Sequence, residues 1–186
     1  MNQLRIIAGK WRGRKITFLD QESLRPSIDR VRETLFNWLQ NEIVGSKCLD
    51  LFAGSSALSL EAASRGADHV TCLELNPESA ACIKENIALL KAYQVTLLQQ
   101  DALKFLKTTK SENKYDLIFL DPPFKENLLQ ESCDLLESNS WLAASALIYL
   151  ESDQVLENYA LPSNWTLIKQ QQAGLVYYGL CHRSEL

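Results

Sequence analysis

Four carboxylates, Asp50, Glu74, Asp101 and Asp121, follow one another at intervals of 20 to 27 residues, each at or just past the end of a short apolar run. That interval is about one strand plus one helix. In an open sheet of parallel strands ligands bind outside the carboxyl ends of the strands, so the four acids are expected to converge on one rim. Taken singly, each could be a helix cap or a solvated loop residue. As an ordered set they describe a site for a ligand that tolerates, or requires, negative charge.

The loop Phe52-Ala53-Gly54-Ser55-Ser56 opens a helix, as loops in nucleotide-binding folds do. It carries one glycine where a dinucleotide fingerprint carries three, and Asp50 beneath it would repel a pyrophosphate. A ligand with a cationic centre and an ammonium group, S-adenosylmethionine, fits better. On this reading Asp50 orders the loop and faces the ammonium end, while Phe52, Ala53, Gly54 and Ser55 form the wall against the ligand. Glu74, followed by Leu75, accepts ribose hydroxyls, and Asp101 with Ala102 meets the adenine edge.

The sharpest string is Asp121-Pro122-Pro123-Phe124. A carboxylate followed by two prolines fixes a rigid loop whose carbonyls are free to accept hydrogen bonds. An exocyclic amine on a base is a weak nucleophile because its lone pair is conjugated with the ring. Asp121 and the carbonyl of Pro122 can each accept one N–H from it, and Phe124 can stack on the base, so catalysis would come from positioning and electrostatics without a covalent intermediate. A base in a stack must be flipped out to reach such a pocket. The plain structural reading is a Pro-Pro turn with a buried Phe.

These residues need elements to hold them. Strands are expected at 47–52, 69–75, 95–99, 115–120, 146–150, 165–169 and 176–181, with helices at 55–64, 77–91, 102–107 and 128–137. Apolar strands separated by helical patterns specify an α/β fold with a parallel sheet and helices on both faces. The last two strands, around Ala173-Gly174, are close enough to form an antiparallel edge hairpin. Ahead of the sheet, segments 4–9 and 14–18 read as a hairpin around a Gly/Arg-rich turn. Ser27 can then cap a helix in which Ile28, Val31, Leu35, Trp38, Leu39 and Glu42 recur near helical spacing. The chain thus divides into an N-terminal extension, 1–41, and a sheet domain, 42–186.

The 186 residues are 46% hydrophobic and 23% charged, which suits a folded core and excludes disorder and low complexity. Apolar runs are too short to span a bilayer, so a cytoplasmic protein with no membrane partner is expected. Five dispersed cysteines read as reduced core thiols, and two histidines with no C-x-x-C pair make a metal site unexpected. The net charge of −4 hides an asymmetry: residues 1–40 carry +4 and the remainder −8. A phosphate backbone responds to the local field, which makes Arg5, Lys10, Arg12, Arg14 and Lys15, with Arg25 and Arg30, candidates for nucleic-acid contact. For these cations the alternative is a merely solvated face; Trp11 is a candidate for stacking on a base, while Trp38, Trp141 and Trp165 read as core.

The strings Arg5-Ile6-Ile7-Ala8-Gly9-Lys10-Trp11-Arg12-Gly13-Arg14-Lys15, Leu24-Arg25-Pro26, Asp29-Arg30-Val31-Arg32-Glu33-Thr34-Leu35-Phe36-Asn37, Asp50-Leu51-Phe52-Ala53-Gly54-Ser55 and Asp121-Pro122-Pro123-Phe124 resemble the RsmD family. These are bacterial small-subunit ribosomal RNA guanine-N2 methyltransferases. The resemblance runs almost end to end. It implies a Rossmann-like seven-stranded class I methyltransferase sheet and S-adenosyl-L-methionine as cofactor. It also implies guanine N2 of 16S ribosomal RNA, of the guanine 966 type, as acceptor, met within an assembling or assembled small subunit by a monomeric enzyme. Ser56 and Ser59 stand where the family pattern carries glycine; a left-handed backbone at Ser56 would cost about 1 kcal/mol or more. Adenine N6 methylation in DNA or RNA remains an alternative, because the Asp-Pro-Pro-Phe loop serves exocyclic amines generally. A non-catalytic RNA-binding module and a dinucleotide oxidoreductase are alternatives from other classes.

Overall fold

The computed structural model describes residues 2–19, 27–109, 114–124 and 128–185. Strands β1 (Asn2–Arg5) and β2 (Lys15–Phe18) form the N-terminal antiparallel hairpin, and α1 (Ser27–Trp38) follows. The sheet is then laid down by β3 (Lys47–Asp50), α2 (Ala57–Ser64), β4 (His69–Leu73), α3 (Pro77–Leu90) and β5 (Val95–Leu98). It is completed by α4 (Ala102–Thr108), β6 (Tyr115–Leu120), α5 (Leu128–Ser138), β7 (Leu142–Ser152), β8 (Trp165–Ala173) and β9 (Val176–Arg183).

Seven strands make one sheet in the order β5-β4-β3-β6-β7-β9-β8. β5, β4, β3, β6 and β7 are parallel neighbours, and β9 and β8 close the far edge antiparallel, as the hairpin around Gly174 required. β7 begins at Leu142, earlier than the 146 expected. Leu142 pairs with Tyr115 across a register shift, so a stretch reading as irregular is drawn into the ladder by its neighbour.

Alternation along the strands feeds two cores, one per face. Leu117 and Phe119 of β6 pack on one side with α1, α2 and the hairpin, whereas Ile118 and Leu120 pack on the other with α4 and α5. Leu4, Ile6, Trp11, Ile16 and Phe18 belong to the first core, so the N-terminal hairpin gains from the sheet the packing that an isolated hairpin lacks. The helix starts are set locally. Asn76 accepts from the backbone N–H groups of Glu78 and Ser79 ahead of Pro77, and Asp101 accepts from that of Lys104. All five cysteines are buried and free.

Candidate active site at the carboxyl ends of the strands

After β3 the chain winds outward through β4 to β5, then returns to place β6 on the other side of β3. The strand order therefore reverses between β3 and β6, and a crevice opens at such a point. Asp50 ends β3 and Asp121 follows β6, one on each side of it.

Asp50 is buried, and its Oδ2 accepts a 2.6 Å hydrogen bond from Ser59 of α2. Burial, only partly offset by Ser59, pushes its carboxyl up to about 7, and Asp121 and Glu74 add to the rise. It acts on the loop from beneath rather than from an open wall. The loop is held from the other side by Glu74, whose Oε2 accepts from Gly54 N and whose Oε1 accepts from Asn76 N, both at 2.8 Å. A carboxylate has about four lone-pair sites, so Glu74 keeps capacity for a hydroxyl donor. Gly54 has φ of 52° with open space where a side chain would begin. Ser56 also adopts the left-handed region, at φ 58°, and its buried hydroxyl is without a partner among the described residues.

Around this loop Phe52 and Ser55 are half-buried, Ala53 is buried and Leu75 is 64% exposed. Asp101 is exposed and spends one oxygen on the α4 cap at 2.7 Å, with Ala102 buried behind it. In the last loop Pro122 is buried, Pro123 is exposed and Phe124 is 38% exposed, so this aromatic ring is not the core Phe of a plain turn. Asp121 opens to solvent as a residue, yet protein around the carboxyl and then the neighbouring Glu151 push it well above the carboxylate range.

The cations of the N-terminal hairpin lie elsewhere. α2 starts at the rim and ends at Ser64, the opposite end of the sheet. There Ser64 O accepts from Lys10 N at 2.7 Å and Ser64 Oγ accepts from Trp11 N at 3.0 Å. Arg14 Nη2 donates to Leu89 O at the end of α3. The turn carrying Lys10, Arg12 and Arg14 is thus displaced from the rim by about the length of α2, ~12 Å. Arg5, Lys10, Arg12, Arg14, Lys15 and Arg30 are exposed, and Arg25 lies outside the described residues.

Trp11 corrects the sequence reading. It is 4% exposed, inside the first core, and cannot stack on a base; its backbone N–H is held by Ser64 of α2, 53 residues away. Gly9 makes this docking possible: at φ +80°, a Cβ there would meet Ser64 O at 1.9 Å. Sequence reasoning also missed the buried Glu61, which accepts from Ile7 N, Ala8 N and Arg65 Nε. Arg32 is likewise buried, donating to Arg5 O and Asp29. An acid spaced one helical turn from small residues on an otherwise apolar helix is the available signal for Glu61. A cavity of about 560 Å³ lined by Trp38, Glu42, Asp116, Lys169 and His182 sits at the amino-terminal ends of the strands and holds none of the rim residues.

The family described as conserved hypothetical protein 95 matches residues 4–182. The ribosomal RNA small subunit methyltransferase D of Haemophilus influenzae is 47% identical over 180 residues, covering 96% of this chain and 93% of that protein. A solved structure from Escherichia coli superposes with TM-score 0.90 at 45% identity, covering both chains fully. A more distant solved structure, complexed with SAH, superposes with TM-score 0.68 at 18% identity over 91% of this chain and 54% of its own, a likeness of fold alone.

Proposed function

The chain belongs to the conserved hypothetical protein 95 family, the RsmD family of methyltransferases, and from that premise we propose that it methylates the exocyclic N2 of a guanine in 16S ribosomal RNA, of the 966 type. The donor is S-adenosylmethionine and the substrate is met in the small subunit. What carries the reading is one juxtaposition: the loop held by Asp50 and Glu74 faces the Asp121-Pro122-Pro123-Phe124 loop across the point where the strand order reverses.

The residues fit the donor. Three carboxylates at the rim, with Asp50 raised by burial and further by Asp121 and Glu74, make a place that gains from a positive charge and would repel a pyrophosphate. Asp50 and Gly54 would lie toward the amino-acid end, Glu74 toward the ribose, and Asp101 with Ala102 toward the adenine. When bound, S-adenosylmethionine supplies a methyl group on a sulfonium, an electrophile that needs no activation by a metal.

Asp121 and the carbonyl of Pro122 accept the two N–H groups of the target amine, which turns its lone pair toward the methyl group. The two prolines remove backbone freedom from the acceptors, so their geometry is set before the base arrives. Phe124, partly exposed at the loop's end, stacks on the flipped base. The exposed cations of the hairpin hold flanking phosphates.

The test is transfer of labelled methyl to free small-subunit RNA, assembled particles and DNA, followed by nucleoside analysis. The expected label is in guanine of the particle-bound RNA, with naked RNA a poor substrate. Label confined to adenine would overturn the proposal.

A further inference from the structure

Beyond Asp121, a second acid stands at the rim. β6 and β7 run in register with Leu120 beside Leu150, so Asp121 and Glu151 take the next places on neighbouring strands. Phe119 and Tyr149 pack in the first core and Leu120 and Leu150 in the second. By alternation Asp121 and Glu151 return to the first face, the one that Asp50 shares with Cys48. Tyr149, two residues behind, donates its hydroxyl to Oε1 of Glu151 at 2.5 Å. Its ring is fixed against Tyr178, which stacks on Trp38.

The groups that face the pair are Asp50 from β3, Tyr149 from β7 and Tyr178 from β9, whose hydroxyl is donated to Gln171. Among the described residues neither carboxylate has an ion-pair partner. Two acids are thus held side by side with no cation among the described residues to compensate them, half-open to the crevice in which the amine is methylated.

We propose that Glu151 is a positioning residue for methyl transfer: together with Tyr149 it keeps Asp121 basic enough to take the proton that the acceptor nitrogen must lose. This rests on the methyltransferase reading. The balance is simple: the nitrogen's lone pair forms the N–C bond, the S–C bonding pair stays on sulfur, and the nitrogen, now one proton in excess, gives that proton to the Asp121 carboxylate. A carboxylate of ordinary strength is a poor base at neutral pH. Two adjacent carboxyls do not ionise independently; the first to ionise makes its neighbour more basic. Burial opposes the charged form of Glu151 and the Tyr149 hydrogen bond favours it, so Tyr149 biases the first charge toward Glu151. Asp121, with no such donor among the described residues, is left as the more basic of the two.

The test joins a readout without turnover to one with it. Carboxyl-carbon NMR follows the titration of Asp121 in the protein alone, and the pH profile of kcat follows its use. In Glu151→Gln the Asp121 titration is expected to move down by about one pH unit or more, because the neighbouring charge is gone. The acid limb of kcat follows it, and the plateau falls several-fold as the base weakens. Tyr149→Phe lets Glu151 take the shared proton first and gives a smaller shift in the same direction. It carries the test should Glu151→Gln not fold. Binding of S-adenosylhomocysteine by calorimetry reports that each variant keeps its site. An unmoved Asp121 titration, or a moved titration with an unmoved acid limb, overturns the proposal. A moved titration in an enzyme that methylates no RNA overturns the reaction assigned to the pair, and the methyltransferase reading with it, while leaving the pairing itself intact.

Discussion

Two buried acids at opposite ends of the sheet are treated in opposite ways. Glu61, at the end where the hairpin docks, accepts from two backbone N–H groups and from Arg65, and every strong donor it needs is present. Asp50, at the rim, has one side-chain donor, Ser59, and burial, with like-charged neighbours adding to it, pushes its carboxyl up to about 7. A buried charge without compensation costs free energy. Glu61 is a fastener, complete in the protein alone. Asp50, Asp121 and Glu151 form a cluster for which the described residues supply no cation, and which an arriving one would complete.

The largest expected effect breaks the rim without touching the fastener. Asp121→Ala removes the carboxylate that accepts the amine proton, and kcat is expected to fall about a thousandfold or more. Thermal stability should not drop, since a carboxyl penalised by burial and by Glu151 is lost, and S-adenosylhomocysteine affinity should stay nearly constant by calorimetry. Retained transfer would remove Asp121 from the mechanism. The converse variant, Glu61→Ala, strands two part-buried backbone donors and Arg65, and about 3 kcal/mol of stability should go, read from the urea midpoint. Below that midpoint its kcat should remain near that of the unaltered protein, because the damage lies at the other end of α2.

Asp50 sharpens the same contrast through pH. Its folded value, about 7, lies above the ordinary carboxylate range, so the folded protein takes up a proton there. The stability it contributes is complete at low pH and is lost as pH rises through 7. A cation bound above Asp50 favours the ionised form, so affinity for S-adenosylmethionine should rise by up to tenfold per unit toward pH 7 and level off beyond it. Asp50→Asn should flatten both profiles. Calorimetry in two buffers of different ionisation enthalpy reads the proton release directly, and an equal slope in the variant would assign the titration to another group.

The order of elements, the edge hairpin and the four strand-end acids were legible because each rests on local period and spacing. The residues that escaped depend on contacts remote in sequence. Trp11, between two cations, reads as a stacking residue until its backbone is seen docked on Ser64 and its ring buried in the first core, and Ser59 reads as a departure from glycine until its hydroxyl reaches Asp50, nine residues back. Glu151 was within reach. It follows a strand expected to end at 150, just as Asp121 follows one ending at 120. Its meaning needed the register of β6 against β7, which no single strand encodes.

The smallest expected effect belongs to the basic turn, and its size follows from where the turn sits. Lys10 and Arg12 are exposed beside the end of α2, removed from the rim by ~12 Å. At that distance they cannot touch the reacting base, only the backbone of RNA that flanks it. Each phosphate contact changes the slope of log K against log salt by about 0.7 for single strands. The double variant Lys10→Ala, Arg12→Ala should therefore lower the slope by about 1.4, weaken RNA binding several-fold near physiological salt and leave kcat at saturating RNA unchanged. Trp11 between them stays packed, so the fold is undisturbed. A fall in kcat would mean that the turn reaches the rim in the complex, and an unchanged slope would mean that RNA approaches from the carboxylate end without using the basic turn.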